Sequence, residues 1–170
     1  MILRIQDVNR QVISALGINQ SVTHAELFVT PEGEVVFGEI GARIGGSHVM
    51  PPCIKNTHGV DLFEAVTDLE LGTYTFTRQE TSNKFTGMIC FPSRAGIIQH
   101  ISGREDYQDV PGIIDFQVSY EVGQHAGDVN DTMTRSGFTI VEGDSFEELC
   151  QTLVDMYDRF VIEVAVPENV

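Results

Sequence analysis

The stretch that most constrains this chain is THAELFVTPEGEVVFGEIGARIGG, residues 23–46. Two runs with strand character, 23–29 and 34–43, flank Thr30-Pro31-Glu32-Gly33, a turn of the Pro/Gly kind, so the stretch reads as a β-hairpin. A loop symmetric about Glu32 and Gly33 places Glu26 opposite Glu39 and His24 opposite Gly41. Side chains alternate between faces. His24, Glu26 and Phe28 are thus expected to share a face with Val35, Phe37, Glu39, Gly41 and Arg43. Ala25, Leu27, Val29, Val36, Gly38 and Ile40 make the opposite, core-facing side.

Two carboxylates directly across a ladder stand about 4.5–5.5 Å apart at Cβ and destabilise the sheet unless something compensates. A hard divalent cation fits, because Mg²⁺ takes one or two protein carboxylates plus substrate phosphates. Two plainer readings stay open. A bulge at Gly33 shifts the register by one and separates the pair, or Arg43 or solvent screens two ordinary surface glutamates.

Glu26, the turn, and then Glu39-Ile40-Gly41-Ala42-Arg43-Ile44-Gly45-Gly46 resemble the metal-binding end of the ATP-grasp superfamily. The resemblance continues through Gly59-Val60-Asp61-Leu62, at the start of the following helix, and back over a helix ending in Ala15-Leu16-Gly17. It implies that Glu26 and Glu39 bind Mg²⁺ (or Mn²⁺) and ATP. It also implies that Arg43 stabilises charge on the reacting acyl phosphate, and that Gly45, Gly46, Ser47 and His48 form a substrate-facing loop. A guanidinium suits such a role because it presents a planar fork of donors to phosphate or carboxylate oxygens. A structural ion pair with Glu26 or Glu39 is the alternative for Arg43. The sequence departs from the family in carrying Gly41 where an Asn ligand is usual, which puts a second Mg²⁺ in doubt. Only the second half of the ATP-grasp unit is matched. The lysines and glycine-rich phosphate loop of the first lobe have no counterpart in these residues.

The charge balance agrees with that division. A formal charge of −15 comes from 25 acids and 10 bases, and only Lys55 and Lys84 are lysines. Nucleic-acid and anionic-membrane partners require a basic face that this composition lacks. A self-sufficient ATP site is equally ill served, which assigns the phosphate-binding lysines to residues elsewhere. Cys53, Cys90 and Cys150 are odd in number and widely spaced, so they read as reduced, buried thiols of a cytoplasmic protein. No run approaches the roughly 18 apolar residues of a membrane span.

In chain order, Ile5, Val8, Val12 and Leu16 stripe a first helix that Gly17 ends. Pro51-Pro52 is expected to break the chain before a helix over 60–71, with Asp61 in its first turn. Residues 73–83 read as a linker. Strands are expected at 85–91, 96–102, 114–122 and 137–142. Ser145-Phe146-Glu147-Glu148 is a capping box that opens a last helix, with Phe146, Leu149, Cys150, Leu153, Met156, Tyr157 and Phe160 on one side. This part resembles the domain that follows ATP-grasp in amino-acid ligases and, more loosely, in biotin carboxylase, best over 91–98. His100, His125 and Asp128 are either pocket residues there or surface residues.

The expected fold is α+β. Residues 1–83 form the second half of an ATP-grasp domain, an antiparallel sheet with flanking helices, and residues 84–170 a small β-rich domain with a C-terminal helix. The expected function is the C-terminal part of an ATP-dependent carboxylate–amine ligase, an L-amino-acid ligase before a biotin carboxylase-like enzyme. It works through an acyl phosphate on small-molecule carboxylate and amine substrates, and is inactive as this chain alone. Its expected partner is an N-terminal ATP-grasp lobe, upstream in the same chain or on a separate subunit; a homodimer is also compatible. The alternative is a non-catalytic binding or dimerisation module derived from such an enzyme.

Overall fold

A computed structural model describes residues 1–46, 49–77, 79, 81, 83–131 and 134–165. The chain divides into two compact units, residues 1–80 and 81–170, and both are α+β with antiparallel sheets.

The first unit opens with α1 (Ile2–Ala15), whose half-buried stripe of Ile5, Val8 and Val12 packs toward β2 (Val35–Gly41). Leu16, the last of the expected stripe, is 60% exposed. Gly17 ends the helix at φ +66°, letting Ile18 N–H donate to the Ile13 carbonyl at 3.1 Å. β1 (His24–Val29) and β2 form a two-stranded antiparallel sheet.

The prolines start a helix instead of breaking one. Pro51 and Pro52 sit in the first turn of α2 (Met50–His58). There the missing N–H costs nothing and the fixed φ is already helical. Gly59 closes α2 at φ +69°, and Asp61 then caps α3 (Leu62–Leu71) by accepting from the Phe63 and Glu64 amides. Lys55 Nζ donates to the same carboxylate at 2.8 Å and, with the cap bonds, holds Asp61 below the usual carboxylate range. The stretch expected as a plain linker returns across α3: Gln79 N–H donates to the Gly59 carbonyl at 2.8 Å. A Cβ on Gly59 would meet the Gln79 carbonyl oxygen, so this position requires glycine twice over, for its backbone angle and for its neighbour.

In the second unit β3 (Phe85–Pro92), β4 (Gly96–Ile101), β5 (Ile113–Val118), β6 (His125–Ala126), β7 (Arg135–Gly143) and β8 (Ile162–Ala165) form two three-stranded sheets, ordered β3-β7-β5 and β6-β4-β8. Strands β6 and β8 are additional to the expected four. Helix α4 (Phe146–Arg159) begins at Ser145, whose Oγ accepts from the Glu148 amide at 3.1 Å. Glu148 itself reaches the Asp144 amide, one residue before the expected capping-box partner.

The core joins both sheets to α4. Phe91 is fully buried and stacks on Phe160 at 4.2 Å between ring centres. Tyr107 is fully buried and donates its hydroxyl to the Met156 carbonyl at 3.1 Å. Arg159 grips Asp109 with both terminal nitrogens, at 2.9 and 2.8 Å, while its guanidinium lies 5.0 Å from the Tyr107 ring centre. Of the expected α4 stripe, Leu149, Met156 and Phe160 bury, whereas Phe146, Cys150 and Tyr157 are exposed. The cysteines differ accordingly: Cys53 is buried, with its thiol pushed up by that burial, Cys90 is half-buried, and Cys150 is exposed. His100, His125 and Asp128 are all exposed. Among the described residues no helix is long and apolar enough to cross a membrane.

Candidate functional site

The hairpin brings Glu26 and Glu39 together as direct cross-strand partners, with Ala25 opposite Ile40 and His24 opposite Gly41. The route to that register differs from the expectation. Gly33, at φ +84°, donates to the Thr30 carbonyl, and Thr30 N–H donates to the Glu34 carbonyl, so the loop closes one residue tighter. Val29 then faces Val35, and Leu27 faces Phe37. A second irregularity between Glu26 and Leu27 leaves Gly38 as the extra residue and restores the alignment of the glutamates. Gly38 suits that place because a Cβ there would press on the Glu26 carbonyl oxygen at 2.9 Å and on the Phe28 ring at 3.0 Å.

The two shifts re-sort the faces. Val35 and Phe37 turn to the side of Ala25 and Leu27, while Val36 joins His24, Glu26, Phe28 and Glu39. On that glutamate face Phe28 is 67% and Val36 46% exposed. The face thus combines two carboxylates with a bare apolar strip, whose composition the unbulged pairing got wrong. A glycine inside a strand run was the available signal.

Among the described residues, no Lys or Arg makes an ion pair with Glu26 or Glu39. The imidazole of His24 comes within reach of the pair, with Nδ1 4.0 Å from Glu26 Oε1. The ion pair expected as the alternative for Arg43 is not formed. Arg43 instead donates from Nη1 to the Ile44 carbonyl at 3.1 Å and lays its stem over Gly41. Among the described residues the like-charge pair therefore has no Lys or Arg counter-charge, which leaves it to solvent or to a cation held by oxygens. No group of three His, Cys, Asp or Glu side chains among the described residues is arranged to hold a metal by itself. Any cation here needs oxygens from elsewhere, such as phosphates.

Gly45 and Gly46 follow at the end of β2. Ser47 and His48, the rest of the expected substrate loop, lie outside the described residues. A separate cavity of about 370 Å³ is lined by Asn19, Gln20, Ser21, Val60, Leu69 and Tyr74 among others, and reaches neither glutamate.

Residues 88–165 match the family described as L-amino acid ligase C-terminal domain 2. The chain is 27% identical over 139 residues to an L-arginine-specific L-amino acid ligase of Bacillus subtilis, covering 80% of this chain and 32% of that protein. It spans about a third of the length of the curated relatives it matches. The structure superposes on the L-amino acid ligase of Bacillus licheniformis with a TM-score of 0.80 at 23% identity, over 96% of this chain and 41% of that one. The same fold recurs, at a TM-score of 0.61 and 17% identity, in the biotin carboxylase domain of Hydrogenobacter thermophilus 2-oxoglutarate carboxylase, solved with MgADP; 84% of this chain and 32% of that one are covered.

Proposed function

We propose that this chain, homologous to L-amino acid ligases, supplies the metal-binding and cap portion of an ATP-dependent carboxylate–amine ligase of the ATP-grasp kind. The observation that carries the reading is the Glu26–Glu39 pair, aligned across the hairpin by the Gly38 bulge and paired with no Lys or Arg among the described residues. Glu26 and Glu39 would hold Mg²⁺, which supplies charge neutralisation for the nucleotide phosphates. The exposed Phe28–Val36 strip beside them offers an apolar surface to the nucleotide base.

In this chemistry ATP phosphorylates a carboxylate, and an amine then attacks the acyl phosphate. Arg43 carries the charge-stabilising role: its guanidinium is exposed, tied to no carboxylate among the described residues, and leaves the strand four residues after Glu39. A donor fork fixed in that position stabilises charge as it develops on the transferred group.

The phosphate-binding lysines and loop belong to a first lobe that these residues do not include. A polypeptide that joins such a lobe to this chain is expected to release ADP only when both an amino acid and a second carboxylate or amine substrate are present. The 170 residues alone are expected to release none. ADP release by the joined protein that ignores amino acids would overturn the reading. Gly41, with no side-chain oxygen where the resemblance expects Asn, favours a second reading as a non-catalytic binding or dimerisation module. Under that reading the joined protein binds nucleotide without turnover.

A further inference from the structure

We propose that His24 is a positioning residue: it pins the loop after β2 to strand β1, and so fixes where the Arg43 guanidinium lies relative to the Glu26–Glu39 pair. The inference rests on the metal–nucleotide reading above. His24 lies on the glutamate face, two residues before Glu26 and opposite Gly41. Its ring reaches past Gly41 to Gly45, where a Cβ would stand 2.5 Å from the His24 Cγ and 2.9 Å from its Cβ. The next residue, Gly46, at φ +69°, is occupied in the same way, since a Cβ there would lie 2.6 Å from the Met50 Cβ. Two successive glycines therefore each receive a neighbour's side chain, one from the sheet and one from α2.

Arg43 belongs to the stretch so gripped. Its stem lies over Gly41, where a Cβ would be 3.2 Å from both Cγ and Nε, and its Nη1 is held by the Ile44 carbonyl. No carboxylate among the described residues aims the guanidinium, so packing aims it. A glycine-rich stretch has more conformations open to it than any other, and the His24 ring is the contact that removes them at Gly45. What the loop needs from His24 is a flat ring of that size. A phenyl ring should serve, and a methyl group should not.

The test uses this chain with Mn²⁺ and ADP, comparing wild type, His24→Ala and His24→Phe. Mn²⁺ affinity is read by EPR with and without ADP, and the Gly45 Hα shift is read by NMR. ADP is expected to tighten Mn²⁺ binding in wild type, since Arg43 then meets the phosphates. The tightening should fall roughly tenfold in His24→Ala, as for other residues that orient a metal site from behind its ligands, and return in His24→Phe. Full tightening in His24→Ala, or equal loss in His24→Phe, overturns the proposal. A wild type that binds no Mn²⁺ defeats the metal reading, and the pinning is then decided by NMR alone. A ring-current displacement of Gly45 Hα in wild type and His24→Phe, lost in His24→Ala, supports it; an undisplaced Gly45 Hα in wild type overturns it.

Discussion

Replacing Phe91 by alanine is expected to destabilise the second unit by about 3–5 kcal/mol, the usual cost of removing a buried phenyl ring. Phe91 has no exposed surface and meets three other rings: Phe160, stacked at 4.2 Å, Phe116 at 5.3 Å and Tyr107 at 6.4 Å. Those rings come from the far end of α4, from β5 and from the 104–107 turn. The site therefore cannot collapse by moving one element. Tyr107 is further fixed by its bond to Met156, and Arg159 by Asp109, so relaxation into the cavity would cost hydrogen bonds as well. A loss of this size is a large fraction of the roughly 5–15 kcal/mol by which a domain is stable. Urea unfolding followed through the amide resonances of β3 and β7 measures it. The midpoint should fall with little change in slope. A loss below about 1 kcal/mol, the range of an average substitution, would mean that Phe91 is not the centre of this core.

Arg43→Ala is expected to lower ligation about 10²–10³-fold in a protein that carries the first ATP-grasp lobe, the effect typical of removing one donor aimed at developing charge. Stability should hardly move, within about 0.5 kcal/mol. The guanidinium is exposed, and among the described residues it hydrogen-bonds to the neighbouring Ile44 carbonyl. That separation of activity from stability is the informative part. Most arginines whose loss inactivates a protein also hold something together, and among the described residues Arg43 holds no carboxylate. Lysine at this position keeps the charge without the planar fork and should recover only part of the rate. Measuring turnover and thermal unfolding on the same preparations checks the prediction. A loss below tenfold, or one matched by a fall in melting temperature, would contradict it.

Much of this was legible in the residues, for physical reasons that can be named. The Thr30-Pro31-Glu32-Gly33 turn and the two-residue period were enough to bring Glu26 opposite Glu39. The actual pairing reaches that alignment by two shifts that cancel, one at Gly33 and one at Gly38. Assuming a regular ladder therefore aligned the glutamates correctly and misplaced Val35, Val36 and Phe37. Pro51-Pro52 reads as a break because proline ends helices from within; at a first turn it begins them. Ser145 announced α4 correctly, yet its apolar side is wider than the surface it buries, so Phe146 and Tyr157 stay exposed. Strands β6 and β8 are two and four residues long. Alternation over so few positions carries no signal, and pairing with β4 is what makes them strands. The contact of His24 with Gly45 joins positions that no local pattern links.

The measurement closest to the central claim is a Mn²⁺ titration of this chain followed by EPR, with and without ATP, on wild type and Glu39→Gln. The substitution removes one of the paired charges and keeps the shape of the side chain. The account predicts that wild type binds Mn²⁺, that ATP tightens the binding, and that Glu39→Gln abolishes the ATP-dependent gain. Binding that is indifferent to Glu39→Gln, or a wild type that takes up no Mn²⁺ in either condition, would contradict the assignment of the Glu26–Glu39 pair as the metal–nucleotide site.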